Sequence, residues 1–422
     1  MEPPLKILLC EGASLSARQT LYALGKRHTI DLVDPDRLCQ GRFSRLVRRW
    51  YRCPSFSRQP LEYLQFLAQR LKAEHYDVLL PTHEQVYLLA RFRQTLSRHV
   101  GLALPEFDAL DRMQNKAEFG RLLDELRLPQ PKSVVIRTRQ ELEQTRDFPC
   151  YVKLAYSTAG SGVRKVDDAG QLRAVADEFE AAGLLDGHAE TVVQQPAVGV
   201  QSTVQAVFQH GRLVVAHCFE ARALGVGGMS MARTSAWHPI VVDHVRALGQ
   251  HLNWHGAMFV DYFYDAQTAA PEYIEANPRI GETVNALLSG RNLPECLVQI
   301  SLDRGDVPAI DGPPQLGVRT HSGFMILMAK ALEGAGRGQL WAELSDARAG
   351  RGLYQRSEDE LTRRRDDRLS VIPAAAIKLQ LLANPQAAER IVAKTVDNYS
   401  LPESAVSAVR QLPPDALDRW LT

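Results

Sequence analysis

The stretch EYIEANPRIGETVNALLSG, residues 272–290, constrains this chain more than any other part of it. In an extended segment side chains alternate, so Tyr273, Glu275 and Asn277 are expected on one face and Ile274 and Ala276 on the other. A carboxylate and a carboxamide then project together. Upstream, MFVDYFYD (residues 258–265) reads as another strand, with Asp261 interrupting its hydrophobic pattern. If the two strands pair through the turn at residues 265–271, Asp261 and Glu275 lie side by side. Two adjacent carboxylates in an apolar frame repel unless a cation sits between them or a proton is shared. All-oxygen donors of this kind suit magnesium, with manganese as the substitute. A single Asp or Glu on a strand is ordinarily a solvated surface residue. The joint pattern, with Asn277, Pro278 and Arg279 attached, favours metal.

Three more segments carry groups suited to polyphosphate. In YVKLAYSTAGSGVRKV (residues 151–166), Lys153 ends a strand-like run, and the small residues after it include two glycines that let backbone N–H groups approach phosphate oxygens. No GK[ST] leads into a helix, so this is not a Walker loop, and an ordinary hairpin turn is the competing account. Lys116 is a second candidate cation, although a lysine on a helix surface is normally just solvated. TVVQQPAVGVQSTVQAVF (residues 191–208) has two strand-like runs flanking a Pro/Gly crossing. Its backbone groups can read an adenine edge or merely link the strands. EARALGVGGMSMARTS (residues 220–235) joins three glycines to Arg222 and Arg233, a loop that can hold an acyl phosphate or simply move.

The remainder sets the frame. A chain of 422 residues exceeds one ordinary core, which implies two to three domains. The N-terminal part alternates KILLC, a helix from near Ser14 closed at Gly25, TIDLVD, a helix carrying Leu61, Leu64, Leu67 and Leu71 on one face, and DVLLPT. This is the pattern of an α/β unit with parallel strands. Its first turn, EGAS, has one glycine where a dinucleotide fingerprint needs three, which disfavours a nicotinamide site. GRFSRLVRRWYRC (residues 41–53) reads as the solvated face of a helix. NKAEFGRLLDELRLPQP is a helix ended by prolines, and short strands dominate from there to about residue 280. Beyond a Pro/Gly-rich connector after residue 302 the chain reads as mainly helical, with RTHSGFMILMAKALEG as an amphipathic helix and RRRDD (residues 363–367) as a charged cluster.

The 50 basic and 49 acidic side chains nearly cancel, so no global field steers the protein to nucleic acid or an anionic membrane. Six scattered cysteines with no metal spacing read as reduced core thiols. No apolar run approaches the ~20 residues of a membrane span, and the N-terminal apolar run is too short for a signal peptide, so the cytoplasm is expected.

In order and spacing these four elements resemble the ATP-grasp superfamily, most of all its carbamoyl phosphate synthetase-like carboxylate–amine ligases, over about residues 5–300. The E-x-N-P-R match is the specific part. The resemblance implies a Rossmann-like N-terminal domain (residues 1–112), an ATP-grasp domain of two α+β lobes (113–303) and a mainly helical C-terminal region (304–422). It implies that Asp261, Glu275 and Asn277 hold magnesium against the phosphates of ATP, and that Arg279 stabilises the transferring phosphoryl group. Lys116 and Lys153 would contact phosphate, and Ser157, Thr158, Gly160, Ser161 and Gly162 would form a flap over it. Gln194, Gln195 and Ala197 would occupy the adenine hinge, where many relatives carry a glutamate instead of this Gln-Gln-Pro. Arg222 or Arg233 would bind the acceptor's carboxylate.

The implied chemistry is activation of a carboxylate by the ATP γ-phosphate, then attack by an amine, with amino acids as the expected substrates and a homodimer compatible with the fold. Such a reaction needs positioning and charge neutralisation rather than a Ser or Cys nucleophile, which fits the inventory. Two alternatives use the same features: carboxylation through carboxyphosphate, and a non-catalytic nucleotide-binding regulator.

Overall fold

The computed structural model describes residues 3–158, 160–361, 367–413 and 415–421. Of the charged cluster at 363–367, only Asp367 falls among them, and Ala159 of the expected flap lies outside them. The described residues form a mixed α/β structure with three sheets.

The first sheet contains β1 (Lys6–Cys10), β2 (Thr29–Asp34), β3 (Val47–Arg52) and β4 (Val78–Leu80), all parallel, in the order β3-β2-β1-β4. Ile7, Leu8, Leu9 and Cys10 are all buried, as befits a parallel strand covered on both faces. Ser14 caps the helix Leu15–Leu24 by accepting from the Ala17 N–H, and Gly25 closes it. The basic run at 41–53 departs from expectation, since its second half is the edge strand β3 rather than a helix. Arg48 and Arg49 are both exposed, and Arg48 reaches Asp31 and Glu74, so charge on a sheet edge replaces charge on a helix face.

The second sheet is β5 (Ser133–Thr138), β6 (Cys150–Leu154), β7 (Val163–Val166) and β8 (Asp186–Gln194), antiparallel in the order β5-β8-β6-β7. The helix Ala169–Ala181 covers it through Leu172, Ala176 and Phe179, which pack on Val152, Val166 and Val193.

The third sheet has seven strands. Its members are β9 (Val200–Gln209), β10 (Arg212–Leu224), β11 (Ser230–Ala236), β12 (Gly256–Asp265), β13 (Ala270–Asn277), β14 (Arg319–His321) and β15 (Ser357–Asp359), in the order β13-β12-β9-β10-β11-β14-β15. Alternation along β9 sends Val204, Ala206 and Phe208 to a core shared with Val241, Val245 and Leu248 of the helix Pro239–His251. Val207 faces the opposite core, shared with Leu297 and Ile300 of the helix Leu293–Ser301 and with Ile7 and Leu9 of β1. The sheet is therefore buried on both sides.

The segment beyond residue 302 contains helices, among them Gly323–Leu332, Arg337–Ala349, Ile372–Ala383, Ala387–Tyr399 and Glu403–Gln411, but it also contributes β14 and β15 to the central sheet. The expected amphipathic helix starts only at Gly323, because Arg319–His321 is strand, and Phe324, Ile326, Leu327, Met328, Ala329 and Ala331 are all buried. The six cysteines are free and buried. Among the described residues no helix is long and apolar enough to cross a membrane.

Candidate functional site

The two carboxylates meet as the sequence suggests. β12 and β13 are antiparallel neighbours with Asp261 opposite Glu275. The register shifts between Asp261 and Tyr262, so that Tyr262 faces Tyr273 and one residue of β13 is bulged out. The bulge corrects the expected alternation: Tyr273 does not share the face of Glu275 but is buried with Tyr262, ring centroids 5.9 Å apart. A simple two-residue period cannot anticipate that inserted residue.

Burial pushes the Asp261 carboxyl up to about 7, aided by Glu275 and Glu282 and opposed by the hydrogen bond from Thr203 and the charge of Arg279. Thr203 Oγ1, across the β9–β12 ladder, donates to Asp261 Oδ1 at 2.6 Å. Glu275 Oε1 lies 3.1 Å from Lys116 Nζ, which also donates to the Ser157 carbonyl at 3.2 Å and to Ser157 Oγ at 3.3 Å. Lys116 is thus no solvated surface lysine; it is buried, at the start of a helix that Asn115 caps. Lys153 is also buried and donates to Gln194 Oε1 at 2.6 Å. Burial and the nearby Lys116 lower its pKa to about 8, against the opposing pull of Glu275 and Asp261. Lys116, Lys153, Asp261 and Glu275 therefore form one electrostatic unit, drawn from two sheets and a helix.

Among the described residues no three His, Cys, Asp or Glu side chains come together closely enough to hold a metal unaided. The donors present are two strand-borne carboxylates with the Asn277 amide two residues beyond Glu275, which matches a hard cation that takes its remaining ligands from phosphate or water.

The glycine-bearing segment after Lys153 turns tightly between β6 and β7, with the Val163 N–H donating to the Gly160 carbonyl. Gly160 (φ 72°) meets Gly227 (φ 70°) of the β10–β11 turn so closely that a Cβ on Gly160 would stand 2.6 Å from the Gly227 Cα. Two segments singled out separately in the sequence are therefore in contact.

At the segment expected to form the hinge, Gln194 turns its side chain to Lys153 and Ser133, and the Gln195 N–H donates to the Lys132 carbonyl. Ala197 lies in the partly exposed crossing to β9.

The arginines are sorted by their partners. Arg279 is buried, with Nε 3.1 Å from Glu84 Oε1 and its guanidinium over the Phe259 ring. Arg233 is buried between Glu360 at 2.9 Å and Glu282 at 3.3 Å. Arg222 instead donates to the Leu353 carbonyl, and burial and Arg319 lower its pKa. Arg233, through Glu282, is the one tied to the carboxylate pair. Sequence reasoning passed over Glu282, although it follows Arg279 by three residues in the same motif. It also passed over Glu84 and Glu11, buried at the C-terminal ends of β4 and β1, where an α/β sheet exposes its binding crevice. Burial, then Glu84, holds the Glu11 carboxyl well above the usual range.

No family model matches the chain. It is 24% identical over 229 residues to the C-terminal section of the carbamoyl phosphate synthase large chain of Methanopyrus kandleri, a match covering 47% of this chain and 41% of that one. The match thus spans less than half the length of that relative. In structure it resembles an L-amino acid ligase from Bacillus licheniformis, with TM-score 0.55 and 15% identity, over 72% of this chain and 75% of that one. It resembles equally the biotin carboxylase domain of Hydrogenobacter thermophilus 2-oxoglutarate carboxylase, solved as a dimer with MgADP and bicarbonate, with TM-score 0.60 and 12% identity over 75% and 74% of the two chains. Sequence likeness to one and fold likeness to the others point the same way: the chain has the fold of these ATP-grasp proteins and resembles that superfamily.

Proposed function

We propose that this protein is a magnesium-dependent ligase that uses ATP to activate a carboxylate as an acyl phosphate and passes the acyl group to an amine, releasing ADP and phosphate. The observation that carries the reading is the pairing of Asp261 with Glu275 beneath Lys116 and Lys153. Asp261, Glu275 and Asn277 would hold magnesium, which when bound supplies charge neutralisation to the polyphosphate. Lys116 and Lys153 bind phosphate oxygens as point cations. The turn containing Ser157, Thr158, Gly160, Ser161 and Gly162 covers them and excludes water. Arg279, held by Glu84, is oriented for the phosphoryl group in flight, and Arg233 for a substrate carboxylate. The residue ranges 1–112, 113–303 and 304–422 serve as pre-grasp, grasp and closing regions in this reading.

Carboxylate and amine do not condense at neutral pH, because the carboxylate is a poor electrophile with a poor leaving group. Phosphorylation of one carboxylate oxygen removes both obstacles: the γ-phosphorus–oxygen bond to ADP breaks, the acyl–phosphate bond forms, and the amine then displaces phosphate. The test is a screen of acid and amine pairs with ATP, using carboxylate labelled with oxygen-18. One label is expected in the released phosphate, with ADP as co-product. Label in AMP would overturn the mechanism, and turnover with bicarbonate in place of an organic acid would favour the carboxyphosphate alternative.

A further inference from the structure

A cavity of about 680 Å³ with a predominantly apolar lining lies against the β10–β11 turn. Met229 and Met231 of the β10–β11 turn and strand bound it, as do Met325 and Met328 of the helix Gly323–Leu332 and Ile377 of the helix Ile372–Ala383. The flap reaches it through Thr158, and Glu282 belongs to its wall. Glu282 is the carboxylate that pairs with Arg233, so the cavity adjoins the charged groups of the site through Glu282 and the flap through Thr158.

We infer that this cavity receives the side chain of one substrate, and that this substrate is an amino acid with a bulky apolar side chain, its ammonium directed to Glu282. The inference rests on the ligase reading and narrows it. The volume falls within the ~300–1,000 Å³ of pockets that enclose drug-sized ligands, far more than glycine or bicarbonate fills. Among the described lining residues Arg390 is the only Lys or Arg, so a phosphorylated sugar finds little there to pair with. Four unbranched, polarisable thioethers adapt to apolar groups of different outline, which suits a set of aliphatic and aromatic side chains better than one rigid shape. Three helices from beyond residue 302 form much of the wall, which gives that region a part in choosing the substrate.

The experiment is calorimetric titration of glycine, leucine and phenylalanine into the whole protein with MgADP present. Leucine and phenylalanine should bind at least tenfold more tightly than glycine. Ala376 lines the cavity from an exposed position, so Ala376→Trp should fold and should weaken phenylalanine at least tenfold. Ala375→Trp, on the neighbouring exposed position outside the lining, should leave it unchanged. Equal affinity for glycine and phenylalanine, or an Ala376→Trp protein that binds phenylalanine like the parent, overturns the inference. Failure of the ligase reading looks different: side-chain-dependent binding would persist while no acid and amine pair released phosphate.

Discussion

Lys153→Met should make the unliganded protein more stable and its nucleotide binding weaker and insensitive to alkali. Burial and the neighbouring Lys116 lower the Lys153 pKa from its ordinary 10.5 to about 8. The folded state thus disfavours the charged form by the gap between those values, which amounts to about 3 kcal/mol. The sign follows: between pH 8 and 10.5 the unfolded chain binds more protons than the folded one, so wild-type stability rises over that window. Below it the full cost of burying the cation is present. Methionine removes the cost, and urea unfolding at pH 7 should show a gain of up to about 3 kcal/mol that shrinks as the pH approaches 10.5. Binding behaves oppositely. At pH 7 about nine-tenths of Lys153 is charged and at pH 9 about one-tenth, so affinity for MgADP should fall about tenfold over those two units, or ~1.4 kcal/mol. In Lys153→Met that slope should vanish. A wild-type affinity flat from pH 7 to 9, or a variant that keeps the slope, would refute the placement of this lysine against phosphate.

Glu275→Gln keeps the volume of the side chain but removes one carboxylate from the pair, so ADP production should drop by at least ~100-fold while circular dichroism stays native; wild-type turnover would sink the metal assignment. Gly160→Ala places a Cβ 2.6 Å from the Gly227 Cα at a positive φ, so it should impair flap closure. Hydrogen exchange over residues 155–165, slowed by MgATP in the parent, should be slowed less in the variant, and equal protection would count against the flap. His217 is buried against Asn285 Oδ1 at 2.8 Å, and burial lowers its pKa to about 4. The unfolded chain takes up its proton first, so stability should decline from pH 6.5 to 4 by about 3 kcal/mol for this residue, and His217→Gln should lose that part of the decline.

The legible part of this site was the part carried by local sequence. Asp261 and Glu275 belong to two strands joined by a short turn, so pattern and loop length together fix their pairing. Lys153 and its glycine turn form a similar local unit. What could not be read is long-range or arises from a single inserted residue. The bulge that sends Tyr273 to the core leaves no mark in an alternation, and Glu84 meets Arg279 across 195 positions. Glu360, which fixes Arg233, comes from a region that read as helical but supplies β14 and β15 to the central sheet. Three-residue strands such as these bury too few side chains to show a period.

These distant contacts have a common form. Arg279 of the site is held by a carboxylate from the C-terminal end of the first sheet, and Arg233 by one from beyond residue 302. Arg18, near the N-terminus, is similarly paired with Asp367 and Ser370. A buried guanidinium without a partner would be strongly destabilising, whereas a paired one fixes geometry at little net gain in stability. The flanking regions therefore do more for the site than cover it. They supply the counter-charges that let two arginines remain buried beside Asp261 and Glu275, each already oriented before any phosphate arrives. For an incoming anion, the cost of ordering these guanidinium groups has already been met in folding. In the proposed ligase reading, the regions before residue 113 and after residue 303 would then contribute to catalysis by holding these arginines, and the substrate preference proposed for the methionine-lined cavity would rest on the same arrangement.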